Sequence, residues 1–277
     1  MASRRPVTRL GIVGCGAIGS LVARTLDKKN PAYRVTALLD THAPQAVRLA
    51  RTLSSRPKVC THLSELIRRS DLVLEAASVK AALPVARAVL GKGKSLVLMS
   101  AGACLLHGKE LAALAKRQRT KLYIPSGAVS GVDGIRSARA LGTIHRIRIT
   151  SRKPPRGFLG APGLTSRQRK SLATARRPMV LYQGGVRGAI RAFPANVNVA
   201  ATTAMASGLP NKLRVTVIAD PGVKTNQHEI QVEGSFGRMV LRTENVPSPA
   251  NPKTSALAVQ AALALLERIT APVEIGS

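Results

Sequence analysis

Near the start of this 277-residue chain an apolar run, Val7 to Val13, leads into Gly11-Ile-Val-Gly14-Cys15-Gly16-Ala17-Ile18-Gly19, and a helix-like stretch from Ala17 to Leu26 follows. Glycines in a strand–turn–helix setting do their chemistry by what they leave out. Gly14 permits a tight turn, Gly16 puts no side chain in the path of a pyrophosphate, and Gly19 lets helix and strand pack closely. The turn from Gly14 through Cys15, Gly16, Ala17 and Ile18 to Gly19 then offers backbone N–H groups and the positive end of a helix dipole to phosphates. Asp40 closes the next apolar run, about twenty residues after the last glycine, where a carboxylate accepts from a ribose 2′-OH and repels a 2′-phosphate. Thr41-His42-Ala43 supplies no arginine to hold such a phosphate. A turn acid at a strand end is the plainer role for Asp40. Together the residues predict a dinucleotide ligand, NAD in preference to NADP.

These residues need a scaffold, and the first half supplies an alternating one. Val7–Val13, Tyr33–Asp40, Leu72–Ala76, Ser95–Met99 and Lys121–Ile124 read as strands. Ala17–Lys28, Pro44–Leu53, Lys80–Leu90 and Leu105–Arg119 read as the helices between them, with Gly91-Lys-Gly93 as a stop. This β-α-β-α order predicts an α/β doubly wound parallel sheet. After Pro125 the texture changes. Gly142–Ser151 alternates His145, Ile147 and Ile149 with Arg146, Arg148 and Thr150, the pattern of a strand with one wet face. Pro154-Pro155 breaks it, and a loop-rich stretch runs to Arg177. Met179–Tyr182 reads as a strand, Gly185–Phe193 and Ala195–Ser207 as helices split at Pro194. Leu213–Ala219, Gln227–Glu233 and Met239–Glu244 read as an antiparallel sheet. Pro247, Pro249 and Pro252 read as a stiff linker, and Thr254–Ile269 as a closing helix. The expected organisation is a dinucleotide-binding domain over 1–125, a mixed α+β domain over 126–250, and a segment 251–277 whose helix packs back on the first domain.

The net charge is +30, and from Gly134 to Ala219 there is no Asp or Glu. Such a field attracts anions. Aromatics make up only 2% of the chain and no nucleic-acid motif accompanies the charge, so nucleic acid is not the expected partner. A basic solvent-facing surface, or steering of an anionic substrate, fits better. No apolar stretch has the length of a membrane span, and no separate apolar signal region follows Met1-Ala-Ser-Arg-Arg-Pro. Cys15, Cys60 and Cys104 lack metal-ligand spacing and read as reduced thiols of a cytoplasmic protein, with no metal expected.

Five blocks in order carry a resemblance. They are the glycine turn, Pro125-Ser126-Gly127-Ala128-Val-Ser-Gly131-Val-Asp133, Phe193-Pro-Ala-Asn196-Val-Asn198, Ala219-Asp220 through Asn226-Gln-His228-Glu229, and Asn251-Pro-Lys253-Thr254-Ser255. With Arg152-Lys153-Pro154-Pro155 they resemble the L-aspartate dehydrogenase family over nearly the whole chain. The resemblance implies a Rossmann-type domain with a substrate and dimerisation domain, in a homodimer. It implies oxidation of L-aspartate to iminoaspartate, which hydrolyses to oxaloacetate and ammonia, with NAD or NADP as acceptor and a link to NAD biosynthesis. It places the active-site histidine at His228 and nicotinamide-side contacts at Ala128 and Asn198. The charge departs from the family's habit and bears on surface behaviour more than on chemistry. Two-domain enzymes similar to homoserine dehydrogenase or dihydrodipicolinate reductase are the alternatives, as is a basic nucleotide- or nucleic-acid-binding protein on this scaffold.

An imidazole at His228 suits the transfer of a proton near neutral pH, and a strand histidine bonded to a backbone carbonyl is its plain alternative. Asn196 and Asn198 divide between capping a helix and bonding a ligand, with Asn198 expected on the cofactor. A dicarboxylate needs cations or clustered N–H groups. Lys253-Thr254-Ser255, read as the start of the last helix, is one candidate, with an ordinary cap as the alternative. Lys153 and Asn196 are others.

Overall fold

The computed structural model describes residues 7–194, 198–248 and 251–275, which fall into two units. The first unit runs to Pro125 and takes in Val259–Glu274. It starts β1 (Thr8–Val13), α1 (Ala17–Lys29), β2 (Tyr33–Leu39), α2 (Ala43–Arg51), β3 (Lys58–Val59) and α3 (Leu63–Arg68). It continues β4 (Leu72–Glu75), α4 (Val79–Gly91), β5 (Ser95–Leu98), α5 (Ala101–Arg117) and β6 (Leu122–Tyr123). The six strands order as β3-β2-β1-β4-β5-β6, all pairs parallel. Helices cover both faces, so β1 and β4 are apolar almost throughout rather than alternating. The chain moves outward from β1 in one direction and then in the other. A crevice therefore opens at the carboxyl ends of β1 and β4, where such sheets bind ligands. The short β3 and α3 have no counterpart in the sequence reading, because a two-residue strand and a six-residue helix carry no measurable period. α5 begins at Ala101, ahead of the expected Leu105, and has a break in helical geometry at His107.

The second unit spans Ser126–Ala258. It contains α6 (Val132–Leu141), β7 (Ile144–Lys153), a 3₁₀ turn (Pro155–Phe158), α7 (Ser166–Ala173), β8 (Met179–Gly185), α8 (Val186–Ala192) and α9 (Asn198–Ser207). Strands β9 (Arg214–Ala219), β10 (Asn226–Gly234), β11 (Gly237–Asn245), β12 (Pro247–Ser248) and β13 (Asn251–Ser255) follow, and α10 (Ala256–Thr270) closes the chain. The large sheet has the order β11-β10-β7-β9-β8.

Five expectations are corrected here. The large sheet is mixed, not antiparallel: β9 runs parallel to β7, with Ser151 beside Val217, and antiparallel to β8. Pairing between distant strands leaves no local trace. His145 is exposed although it shares a parity with buried Ile147 and Ile149, because the register shifts between Glu233 and Gly234 on the facing strand. The proline segment is no plain linker, since Pro247–Ser248 pairs with Asn251–Ser255 in a two-stranded ribbon. Pro249 lies outside the described residues. Lys253 and Thr254 consequently belong to a strand, and the last helix starts at Ala256, beyond all three residues expected to open it. The stretch taken as loop also holds α7, whose capping box joins the Thr165 hydroxyl to the Gln168 N–H and the Gln168 side chain to the Thr165 N–H.

Residues 259–274 complete the first unit's core. Val259, Ala262, Leu265 and Leu266 of α10 pack in one buried cluster with Leu10, Ile12, Val22, Leu26 and Leu38. The Tyr33 hydroxyl donates to the Leu266 carbonyl at 2.7 Å, and its burial pushes the phenol up to about 12.

Candidate functional site

In the first unit the glycine turn has the geometry of a phosphate cradle. Gly14 has φ +93°, and a Cβ there meets the Ala76 carbonyl oxygen at 2.5 Å. A Cβ on Gly19 meets the Gly14 carbonyl oxygen at 1.9 Å, so only glycine lets α1 come this close to the turn. A Cβ on Gly16 meets nothing nearer than the Gln45 amide at 3.8 Å. That position is open, as an approaching phosphate requires. Gly16 is also the N-cap of α1, and no side chain bonds there. The residues present thus fit a dinucleotide.

Asp40 does more than the sequence suggests. One carboxylate oxygen accepts the Cys15 N–H at 2.6 Å, and the other accepts the His42 N–H at 2.8 Å. It is a strand-end turn acid and also the brace of the glycine turn; a carboxylate has about four lone-pair sites, which leaves room for a ribose hydroxyl. Gln45, which sequence reasoning missed, donates to the Cys15 carbonyl at 2.8 Å and braces the turn from the other side. Burial and the nearby Asp40 push the Cys15 thiol up to about 12, so it is an inert filler of the turn.

Glu75, also missed, ends β4 with a fully buried carboxylate. It accepts from the Ala77 N–H at 3.0 Å and from the N–H and hydroxyl of Ser100, each at 3.2 Å. It ties together the loops that leave β4 and β5. Burial raises its pKa against the opposing pull of those hydrogen bonds.

In the second unit, strand alternation gathers polar groups on one buried face of the large sheet. His228 on β10 stands opposite Ser151 on β7 and Thr243 on β11; Asn226 stands opposite Asn245 and is followed by Gln227, paired with Arg152. His228 Nδ1 and Ser151 Oγ lie 2.9 Å apart. When Ser151 donates, the imidazole proton sits on Nε2 and can be offered onward. Lys153 lies two residues beyond Ser151, hence on the same face, and is 5% exposed; His228 is 2% exposed. Burial pushes the Lys153 ammonium down to about 8. Burial, then the Lys153 charge, pushes the His228 imidazole down to about 3. His228 is therefore neutral throughout the physiological range.

The same face receives two further groups. The Ala128 carbonyl accepts from Asn245 Nδ2 at 2.9 Å and from the Thr243 hydroxyl at 3.2 Å, which anchors the Ser126-Gly127-Ala128 turn beside β11. Asn226 Nδ2 donates to the Ser255 hydroxyl at 3.3 Å, both residues being buried. Ser255 thus sits on this polar face, just ahead of α10 rather than inside it. Asn198 is the first residue of α9, the helix packed against β7. Asn196 lies outside the described residues, and for Lys253 and Thr254 the structure defines the strand alone. Asp220 makes the expected turn, accepting the Gly222 N–H at 2.8 Å, and also pairs with Arg152. Ser151, Asn226, Thr243 and Asn245 escaped the sequence reading. Ser151 and Asn226 carried a signal, since they keep the parity of Lys153 and His228 on their strands, whereas Thr243 and Asn245 reach this face only through the pairing of β11 with β10.

The comparisons with known proteins agree in coverage. Residues 133–269 match the family model described as aspartate dehydrogenase, C-terminal, and residues 14–125 match the homoserine dehydrogenase NAD-binding domain. The chain is similar to an L-aspartate dehydrogenase of Methanosarcina mazei, 42% identical over 97% of this chain and 99% of that one. It is also similar to one of Methanocaldococcus jannaschii, 37% identical over the same shares. Among solved structures it resembles the aspartate dehydrogenase of Thermotoga maritima, with a TM-score of 0.74 at 21% identity over 97% of this chain and 99% of that chain.

Proposed function

This chain belongs to the L-aspartate dehydrogenase family, and from that premise we propose that it oxidises L-aspartate to iminoaspartate with NAD as acceptor. The observation that carries the reading is the buried His228–Ser151 pair beside Lys153, a polar and cationic face suited to an anionic amino acid. When bound, NAD takes up the hydrogen and two electrons of the substrate Cα–H bond. The chain's own residues bind and orient. Gly14 through Gly19 hold the pyrophosphate, and Asp40 accepts from the ribose while bracing Cys15. Ala128 and Asn198 meet the nicotinamide side. His228 is the catalytic residue of this reading, a neutral imidazole that holds the substrate nitrogen or carboxylate in reach. Asn196, Lys253, Thr254 and Ser255 are the proposed ligands of the substrate carboxylates, and Lys153 is a further proposed substrate-binding residue.

The product hydrolyses to oxaloacetate and ammonia or passes to pyridine-nucleotide synthesis. The working form in this reading is a cytoplasmic homodimer. No helix among the described residues is long and apolar enough to cross a membrane. NADP is the weaker acceptor, because Asp40 repels a 2′-phosphate.

Purified protein mixed with L-aspartate and NAD, followed by the absorbance of the reduced nucleotide from neutral to alkaline pH, tests this directly. Turnover is expected with L-aspartate and not with L-homoserine; folded protein without turnover sinks the assignment. His228→Ala is expected to keep NAD binding and lose most of its turnover, at least ~100-fold on the scale of a positioned catalytic group. Loss of NAD binding instead makes His228 a structural residue.

A further inference from the structure

Amino-acid oxidation requires that the substrate ammonium lose a proton before its nitrogen can share electrons with Cα. An acceptor must lie on the polar face, close to where the substrate nitrogen is held, and be shielded from water. Within the reading just given, we infer that Lys153, not His228, takes this proton.

The placement argues for it. β7 puts the Ser151 hydroxyl and the Lys153 amine on one face, two residues apart, and β10 sets His228 and Asn226 against them. Both ionisable groups are buried, so they compete for one charge in a poorly solvated space. Lysine keeps it, since His228 is held neutral by burial and by that same neighbouring cation. The acids of β10 and β11, Glu229, Glu233 and Glu244, have the opposite parity and lie on the other face with Arg146, Thr150 and Gln227. Asp220 donates its N–H to the Lys153 carbonyl at 2.9 Å and turns its carboxylate to Arg152. The 3₁₀ turn packs Gly157 against the lysine stem and carries Arg156, while α9 has no ionisable side chain.

Burial alone brings the ammonium down to about 8, within reach of neutrality in mildly alkaline solution. The step balances simply. An N–H bond of the substrate ammonium breaks and one forms at Lys153 Nζ. The freed lone pair becomes the C=N bond as the Cα hydrogen leaves with its electron pair to the oxidised nucleotide. The proton passes to solvent when Lys153 is next deprotonated. His228, bonded to Ser151, holds the substrate and takes no net proton.

Four variants and one spectrum decide it. Lys153→Arg keeps the positive charge but does not release a proton. It is expected to lower kcat more than 100-fold while L-aspartate binding changes less than about fivefold. Lys153→Ala is expected to be inactive and to recover turnover with added methylamine or ethylamine, at rates that follow the amine's basicity. In the cofactor-free protein, ¹³C-lysine NMR is expected to show one ε-carbon, absent from Lys153→Arg, that titrates more than one pH unit below the others. The pH profile of kcat/KM in His228→Gln should keep the alkaline-rising limb of the unaltered protein. Near-normal kcat in Lys153→Arg, with a raised KM in Lys153→Met, overturns the inference and makes the lysine a carboxylate ligand. Absence of L-aspartate turnover in the unaltered protein overturns the underlying reading itself, and the inference with it.

Discussion

Burial governs what the ionisable groups of the second sheet can do, and it has a cost that can be measured. His228 titrates near 3 in the folded chain and close to 6.5 unfolded, so between those values the folded state holds fewer protons. Stability is thus fully present above about 6.5 and is lost as pH falls toward 3, at up to about 1.4 kcal/mol per unit. Lys153 behaves alike in its own window: its folded value near 8 lies below the unfolded one, so stability rises with pH from about 8 to 10.4. Denaturant unfolding followed from pH 7 to 4 should show the acid slope, and His228→Asn should flatten it. An unchanged slope would locate the acid sensitivity elsewhere. At this scale the sequence exposed the reactive residues but not their state. His228 and Lys153 stood out by block and type, whereas their shared face depends on the register of β7 against β10, and no single strand carries that.

At the scale of elements, the glycine turn makes a split prediction. Gly19→Ala drives a Cβ into the Gly14 carbonyl, with 1.9 Å between them, and should lower the melting temperature and NAD affinity together. Gly16→Ala meets open space, and should leave the melting temperature of the cofactor-free protein within a degree or two while weakening NAD binding at least ~10-fold. Thermal unfolding with and without NAD separates the two; equal destabilisation would show that Gly16 serves the fold and not the ligand. Apart from the short β3 and α3, the first unit was legible because its strands, helices and turns each carry a local mark, with glycine, apolar run and acid in sequence. The second was legible only in pieces. β8 to β11 were found near their observed bounds, but the parallel pairing of β7 with β9 is a long-range fact. The Lys253-Thr254-Ser255 run imitates a helix cap, and only pairing with Pro247–Ser248 reveals it as a strand. The capping box of α7 was a missed local signal, hidden by the abundance of basic residues around it.

Across the whole molecule the unusual quantity is charge. A net +30 acts on a substrate anion before contact, and so belongs in the encounter rate rather than in the chemical step. For L-aspartate, kcat/KM should fall severalfold as ionic strength rises from ~0.02 M to ~0.5 M, with kcat nearly constant. A flat kcat/KM would mean that the charge is surface adaptation without a kinetic role. A different property of the whole chain follows from α10. The core that surrounds β1 and β2 contains Val259, Ala262, Leu265 and Leu266, which a ribosome delivers only after the whole second unit has been made. The second unit emerges while the nucleotide-binding unit still lacks one wall, so its apolar interior must be sheltered, by chaperones or by loose collapse, until α10 is made. A premature stop after Lys253 leaves that unit open at its centre.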